Sequence, residues 1–301
     1  MKIIFSLLIL FIYTTASSQT GWIQQTSGTN QTLLGVSFAN SNTGFVCGVS
    51  GIIVKTTNGG FNWNNQTSGT NNFLRSISFI NANSGMTAGE NGLILKTING
   101  GLNWVNLNSG ITSTLVHIQF VDPSNAVCVG LNGTIAKTTN GGTNWVLQNS
   151  NLNLELTGVY FINPNSGYVT GFNGTILYTL NGGNLWTQQN STVSNDLRAV
   201  YFTDDNTGYV SGMNGVILKT TNSGGNWLTQ TTGVTNNLFS IYFVNQNSGT
   251  AVGTGIILKT LNSGNVWMPQ SGVVQLIYIV YILPLLIPAM PLDNWGKYSK
   301  Q

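Results

Sequence analysis

The stretch KTTNGGFNW, residues 55–63, returns as KTINGGLNW (96–104), KTTNGGTNW (137–145), YTLNGGNLW (178–186), KTTNSGGNW (219–227) and KTLNSGNVW (259–267). Counted from Trp22, the tryptophans follow one another at 41, 41, 41, 41, 41 and 40 residues. The short step comes from a single residue missing around Gly253-Thr254-Gly255. A fixed period near forty marks a solenoid or a propeller, and it must be settled before any local reading.

Each unit carries four short segments. Segment A has the pattern Leu-x-x-[Val/Ile]-x-Phe, from Leu33/Val36/Phe38 to Leu238/Ile241/Phe243, and a polar turn such as NSNTG or NPNSG leads into segment B. B and C are joined by GVSG, GENG, GLNG, GFNG and GMNG, four of which contain the Asn-Gly pair that favours a tight type I′ hairpin. Segment C carries Ile53, Ile94, Ile135, Ile176, Ile217 and Ile257, and segment D begins near each tryptophan. Runs of four to eight β-prone residues between turn signals read as strands, and no stretch is long or helix-periodic enough to compete. Four antiparallel strands per unit fit a propeller blade. The expected fold is all-β: a β-propeller of four-stranded antiparallel blades, six complete and a seventh incomplete.

Aligned as Thr56-x-Asn58-x-Gly60-x-Asn62-Trp63, the opening stretch resembles the Asp-box (BNR) motif, with Asn where that motif has Asp. The recurring positions are Asn58, Gly60 and Trp63; Asn99, Gly101 and Trp104; Asn140, Gly142 and Trp145; Asn181, Gly183 and Trp186; Asn222, Gly224 and Trp227; and Asn262, Gly264 and Trp267. An Asx side chain accepts backbone N–H groups across its own turn, and Gly supplies the positive φ such a turn needs. The Trp buries a large ring whose indole N–H calls for a partner. Uncharged turns repeated six times make poor ligands for hard cations, so the motif reads as structural.

The phrase GxxGxIxKTTNGGxxW, repeated over residues 21–271, resembles the photosystem II stability/assembly factor family. The resemblance implies a seven-bladed Asp-box propeller, exported to the thylakoid lumen or its bacterial equivalent, that binds early intermediates of the reaction centre. Family members carry an arginine-rich patch, whereas this chain has only Arg75 and Arg198.

Both ends depart from the repeat. Residues 1–18 read as a signal peptide, with Lys2, an apolar run from Ile3 to Tyr13 and the small-residue exit Ala16-Ser17-Ser18. Export is therefore expected, with residues 19–271 as the propeller. GWIQQTSG (21–28) matches segment D with nothing ahead of it, as a strand completing the last blade would. In the tail, 272–301, LIYIVYI (276–282) fits segment A, after which the pattern stops. The tail reads as a truncated or frame-shifted seventh blade. The competing reading is a weak membrane anchor, because 273–292 is a twenty-residue apolar run, interrupted by Pro284, Pro288 and Pro291.

Charged residues make up 6% of the chain, which leaves no cluster for nucleic acid. Cys47 and Cys128 occupy non-equivalent repeat positions and read as small buried apolar residues rather than a disulfide. A sialidase-like enzyme needs an arginine triad, and other glycosidases need paired carboxylates; two arginines and two glutamates serve neither well. No Ser-His-Asp arrangement surrounds the single His117, and no metal-ligand spacing is present, so no enzyme activity, metal or cofactor is expected. A carbohydrate-active propeller and a passive surface or adhesion component remain the alternatives to a protein-binding scaffold.

If A runs up, B down, C up and D down, the D–A connections and B–C turns share one end. Arg75, His117 and Arg198 fall there in segment A, with Glu90, Glu155 and Asp196 at the rim. They form a candidate binding mouth for an anionic or polar group of a partner, with solvated strand ends and a tolerated histidine as the alternative reading. Lys55, Lys96, Lys137, Lys219 and Lys259 ring the other end, where covering apolar strand surface is their default role.

Overall fold

The computed structural model describes residues 25–270. Six sheets of four antiparallel strands, each ordered A-B-C-D, stand around a common axis. In blade 2 these are Leu74–Phe79, Gly85–Gly89, Ile94–Thr97 and Val105–Leu107. The A strands of successive blades touch from blade 1 to blade 6, so A lines the axis. The B strands of blades 1–5 are buried throughout, and the D strands lie exposed at the rim. The described residues thus form six blades; the expected partial seventh blade, the signal peptide and the apolar tail lie outside them.

The B–C turns take the expected form. In blade 2, Asn91 (φ 56°, ψ 34°) and Gly92 (φ 68°) both adopt positive φ, and the Leu93 N–H donates to the Glu90 carbonyl at 3.0 Å. This is the type I′ requirement, and it recurs even where Ser50 replaces Asn.

Segment A holds a feature the sequence reading did not include. Every A strand has a β-bulge just after its Leu, as between Leu74 and Ser76. The bulge explains the odd spacing of three between Leu74 and Ile77: both are buried in one cluster, which a regular strand with alternating faces forbids.

Blades pack through aromatic layers. Phe45 of blade 1 stacks on Phe79 of blade 2 at 3.6 Å, and Phe79 meets Trp104 edge-on at 5.9 Å. The ring of Phe79 also lies over Gly85, where a Cβ would come within 2.5 Å of it. The Asp-box turns work as read: Thr97 Oγ1 accepts the Gly101 N–H (2.9 Å) and donates to Asn99 Oδ1 (3.0 Å), which accepts the Asn103 N–H (3.0 Å). The expectation that each indole N–H finds a partner needs correction. Trp227 Nε1 donates to Gln189 Oε1 (3.1 Å) and Trp63 Nε1 to Gln25 Oε1 (3.4 Å), but Trp104, Trp145, Trp186 and Trp267 bury theirs unpaired. Beside Trp145 the matching residue is Leu107, which has no acceptor. Gln66, Gln148 and Gln230 instead turn their amides onto their own strands.

The ring is open between blades 6 and 1, where the inner strands are not joined as the other neighbours are among the described residues. Cys47 and Ile53, on the blade 1 face covered by blade 2, are fully buried, whereas Val252 and Ile257, their counterparts on blade 6, keep partial exposure. Cys47 and Cys128 are free and buried, as read, and burial pushes the Cys47 thiol up to about 12.

Candidate functional site

Arg75 and Arg198 occupy the bulge position of the inner strand in blades 2 and 5. Arg198 lies 3.8 Å from Glu155 and 3.9 Å from Asp196, with its guanidinium 4.8 Å from the centre of the Phe172 ring. Burial raises the pKa of Glu155, the Arg198 and Arg75 charges pull it back, the Asp196 charge adds to the rise, and the balance stays above the ordinary value. The Arg75 charge in blade 2 thus acts on the same carboxylate. The Nε atoms of both arginines are buried with no hydrogen-bond partner.

The structure thus brings Arg198, Glu155 and Asp196 together, with the Arg75 charge acting on Glu155, and gives the other two residues local tasks. Glu90 Oε2 accepts the Phe73 N–H at 3.1 Å, bracing a turn. His117 Nδ1 accepts the Val159 N–H of the next blade at 3.3 Å. Burial lowers its pKa to about 4, so it enters the mouth as a neutral acceptor rather than as a third cation. Its neighbours show why: Ser76, Ser37, Ser78 and Gln119 accept backbone N–H groups across blades in the same way. Asp196 also has a double task, since its Oδ1 accepts the Asn173 N–H, as Asn237 does for Asn214.

Deeper along the axis lies a feature absent from the sequence reading. Tyr160, Tyr201 and Tyr242, at one register in blades 4, 5 and 6, form a continuous row with ring centres 5.0 and 4.9 Å apart. Burial raises all three phenol pKa values. Blades 1–3 carry Ser37, Ser78 and Gln119 at that register. The channel wall is therefore aromatic on one half and polar on the other. The signal was a tyrosine recurring at the 41-residue period.

The lysine ring at the other end joins blades. Lys55, Lys96 and Lys219 donate to the carbonyls of Gly100, Gly141 and Ser263 in the following Asp-box turns, at 2.8, 2.6 and 2.7 Å, and Lys137 donates to Asn184 Oδ1 at 3.2 Å. Among the described residues no cluster of three or more His, Cys, Asp or Glu could hold a metal, and no helix is long and apolar enough to cross a membrane.

These features define an Asp-box-type propeller with a charged mouth on its axis. The family model of photosynthesis system II assembly factor YCF48 matches residues 14–153, 104–189 and 147–231, and the chain belongs to that family. Among solved structures it is similar to one described as YCF48 bound to D1 peptide, at 21% identity and a TM-score of 0.72, covering 88% of this chain and 90% of that one. YCF48 from Cyanidioschyzon merolae is similar at 18% identity and 0.70, covering 84% and 89%. A Niastella koreensis GH74 enzyme follows at 17% and 0.65, covering 79% of this chain but 45% of the enzyme. No curated protein matches the sequence.

Proposed function

We propose that this chain is an exported, non-catalytic scaffold of the YCF48 type that binds an extended, acidic segment of a photosystem II subunit at the Arg75/Arg198 mouth. One observation carries the reading: Arg198 lies beside the partly buried Glu155 carboxylate, on which the Arg75 charge also acts, and the Nε donors of both arginines have no partner. The ion-pair separations of 3.8 and 3.9 Å are long for charge-assisted hydrogen bonds, so the two terminal nitrogens of the Arg198 guanidinium can turn to an incoming carboxylate. Family membership and a similar propeller bound to D1 peptide support a protein ligand. The apolar run from Ile3 to Tyr13 behind Lys2 supports export.

The test is fluorescence anisotropy with a labelled D1 peptide on the full chain and its R75Q/R198Q variant. Each charge-assisted contact contributes about 1.5–3 kcal/mol, so the double variant should bind at least ~100-fold more weakly. Unchanged affinity in the double variant overturns the assignment of the mouth. Turnover of a glycoside by the unmodified chain overturns the non-catalytic reading.

A further inference from the structure

We propose that the Asp-box end of the propeller is a membrane-contact surface, which seats its apolar turn tips in a bilayer that contains anionic phospholipid. This end lies opposite the arginine mouth, so the inference stands independently of the function proposed above.

The exposed apolar side chains are unevenly shared between the two ends. In the C–D turns Phe61 is 85% exposed, Ile98, Leu102, Leu180 and Leu185 are between 64 and 73% exposed, and Leu261 and Val266 of blade 6 join them. Among the described residues, Phe73 is the one large apolar side chain in the open at the mouth end, at 38%. Single exposed apolar residues are ordinary on a protein surface, but these recur at one structural position.

Their arrangement points to a flat partner. In all six turns the Thr Oγ1 accepts the Gly N–H at 2.9–3.0 Å, and the Asn Oδ1 accepts the N–H four residues on. One shape thus repeats around the axis, and the tips stand at one height. The tips of blades 3 and 5 are polar, with Thr139 and Asn144 in one and Thr221 and Asn226 in the other. The apolar points are therefore set apart instead of merging into one patch. A protein partner needs a continuous desolvated core, whereas a bilayer takes up separate apolar side chains that enter to a common depth.

The polar blades favour anionic headgroups. Lys137, Asn144, Gln148 and Asn184 line a cleft of about 300 Å³ between blades 3 and 4, and Lys219, Asn226, Gln230 and Asn265 line its counterpart of about 330 Å³ between blades 5 and 6. Each cleft offers an ammonium and amide donors to a phosphate, and lysines near a bilayer surface are drawn to anionic lipid. Five lysines stand at this end, on the outer C–D side, against Asp122, Asp204 and Asp205 in the inner A–B turns. The mouth end has two arginines against three acids. The outer ring of the Asp-box end is therefore the positive surface of the molecule.

The experiment places an environment-sensitive dye on L102C and on L185C in the full chain, with N71C and T235C in the D–A connections as controls at the mouth end. The vesicles are equal parts phosphatidylcholine and phosphatidylglycerol and carry a quencher on the acyl chains. Cys47 and Cys128 are buried with raised thiol pKa values and stay unlabelled. Dyes at fixed positions separate contact by this end from attachment through any other part of the chain. The expected result is quenching at 102 and 185 several-fold above that at 71 and 235, reduced by K137Q/K219Q and by vesicles of phosphatidylcholine alone. No quenching at 102 and 185, equal quenching at both ends, or quenching that neither change reduces would overturn the proposal. A dye response at 102 and 185 without vesicles would also overturn it, by making a second copy the occupant.

Discussion

Replacing Thr97 by valine tests whether the Asp-box turn is a structural pin. Thr97 is 1% exposed, and its hydroxyl accepts the buried Gly101 N–H at 2.9 Å while donating to Asn99 Oδ1 at 3.0 Å. Valine keeps the shape and removes both roles. A buried N–H left without an acceptor costs about 1–3 kcal/mol, and Asn99 loses one donor besides. The expected destabilisation is about 2 kcal/mol, or roughly 4–8 °C in Tm for a chain of this size. Urea unfolding followed by tryptophan fluorescence reads it directly, with N99D as the companion because aspartate keeps the acceptor for the Asn103 N–H. The expected order is wild type near N99D, with T97V well below. A T97V midpoint indistinguishable from wild type would refute the idea that this network holds the turn.

Two further predictions follow from the same packing. His117 is held neutral in the fold, at about 4 against an ordinary 6.5, so the unfolded chain takes up its proton first as pH falls. Its contribution is complete above about pH 6.5 and is lost toward pH 4, by up to about 3 kcal/mol. H117Q keeps an acceptor for Val159, as Gln119 does for Phe161, and should flatten the stability difference across that window; parallel losses in the two proteins would contradict it. L107Q places an amide where Gln189 stands beside Trp227, and pairing the orphaned Trp145 indole should raise stability by about 1 kcal/mol in the same urea assay. A lower midpoint would mean that Leu107 packing outweighs the hydrogen bond.

The period of 41, the Asn-Gly turns and the Thr-x-Asn-x-Gly signature made the propeller legible because each is a local constraint that recurs from blade to blade. The bulge was also written in the sequence, as a three-residue step between two buried positions, but it becomes visible only once both are known to share a face. Arg75 and Arg198 sit inside that step. The neutral role of His117 depends on contacts 42 residues away, between strands that share no ladder, so no local pattern announces it. The lysine ring was legible as packing stems, whereas its bonds to the next blade's carbonyls needed the blade-to-blade geometry. The tyrosine row needed the same information, since periodicity gives the register and not the face.

The central claim is that a partner segment is held at the arginine end of the axis. Hydrogen exchange of the full chain with and without a saturating D1 peptide tests it most directly. Slowed exchange confined to the D–A connections and B–C turns, around residues 72–75, 155–158, 172–174 and 195–198, is the predicted result. Protection at the Asp-box turns of the opposite end, or no change anywhere, would contradict the account.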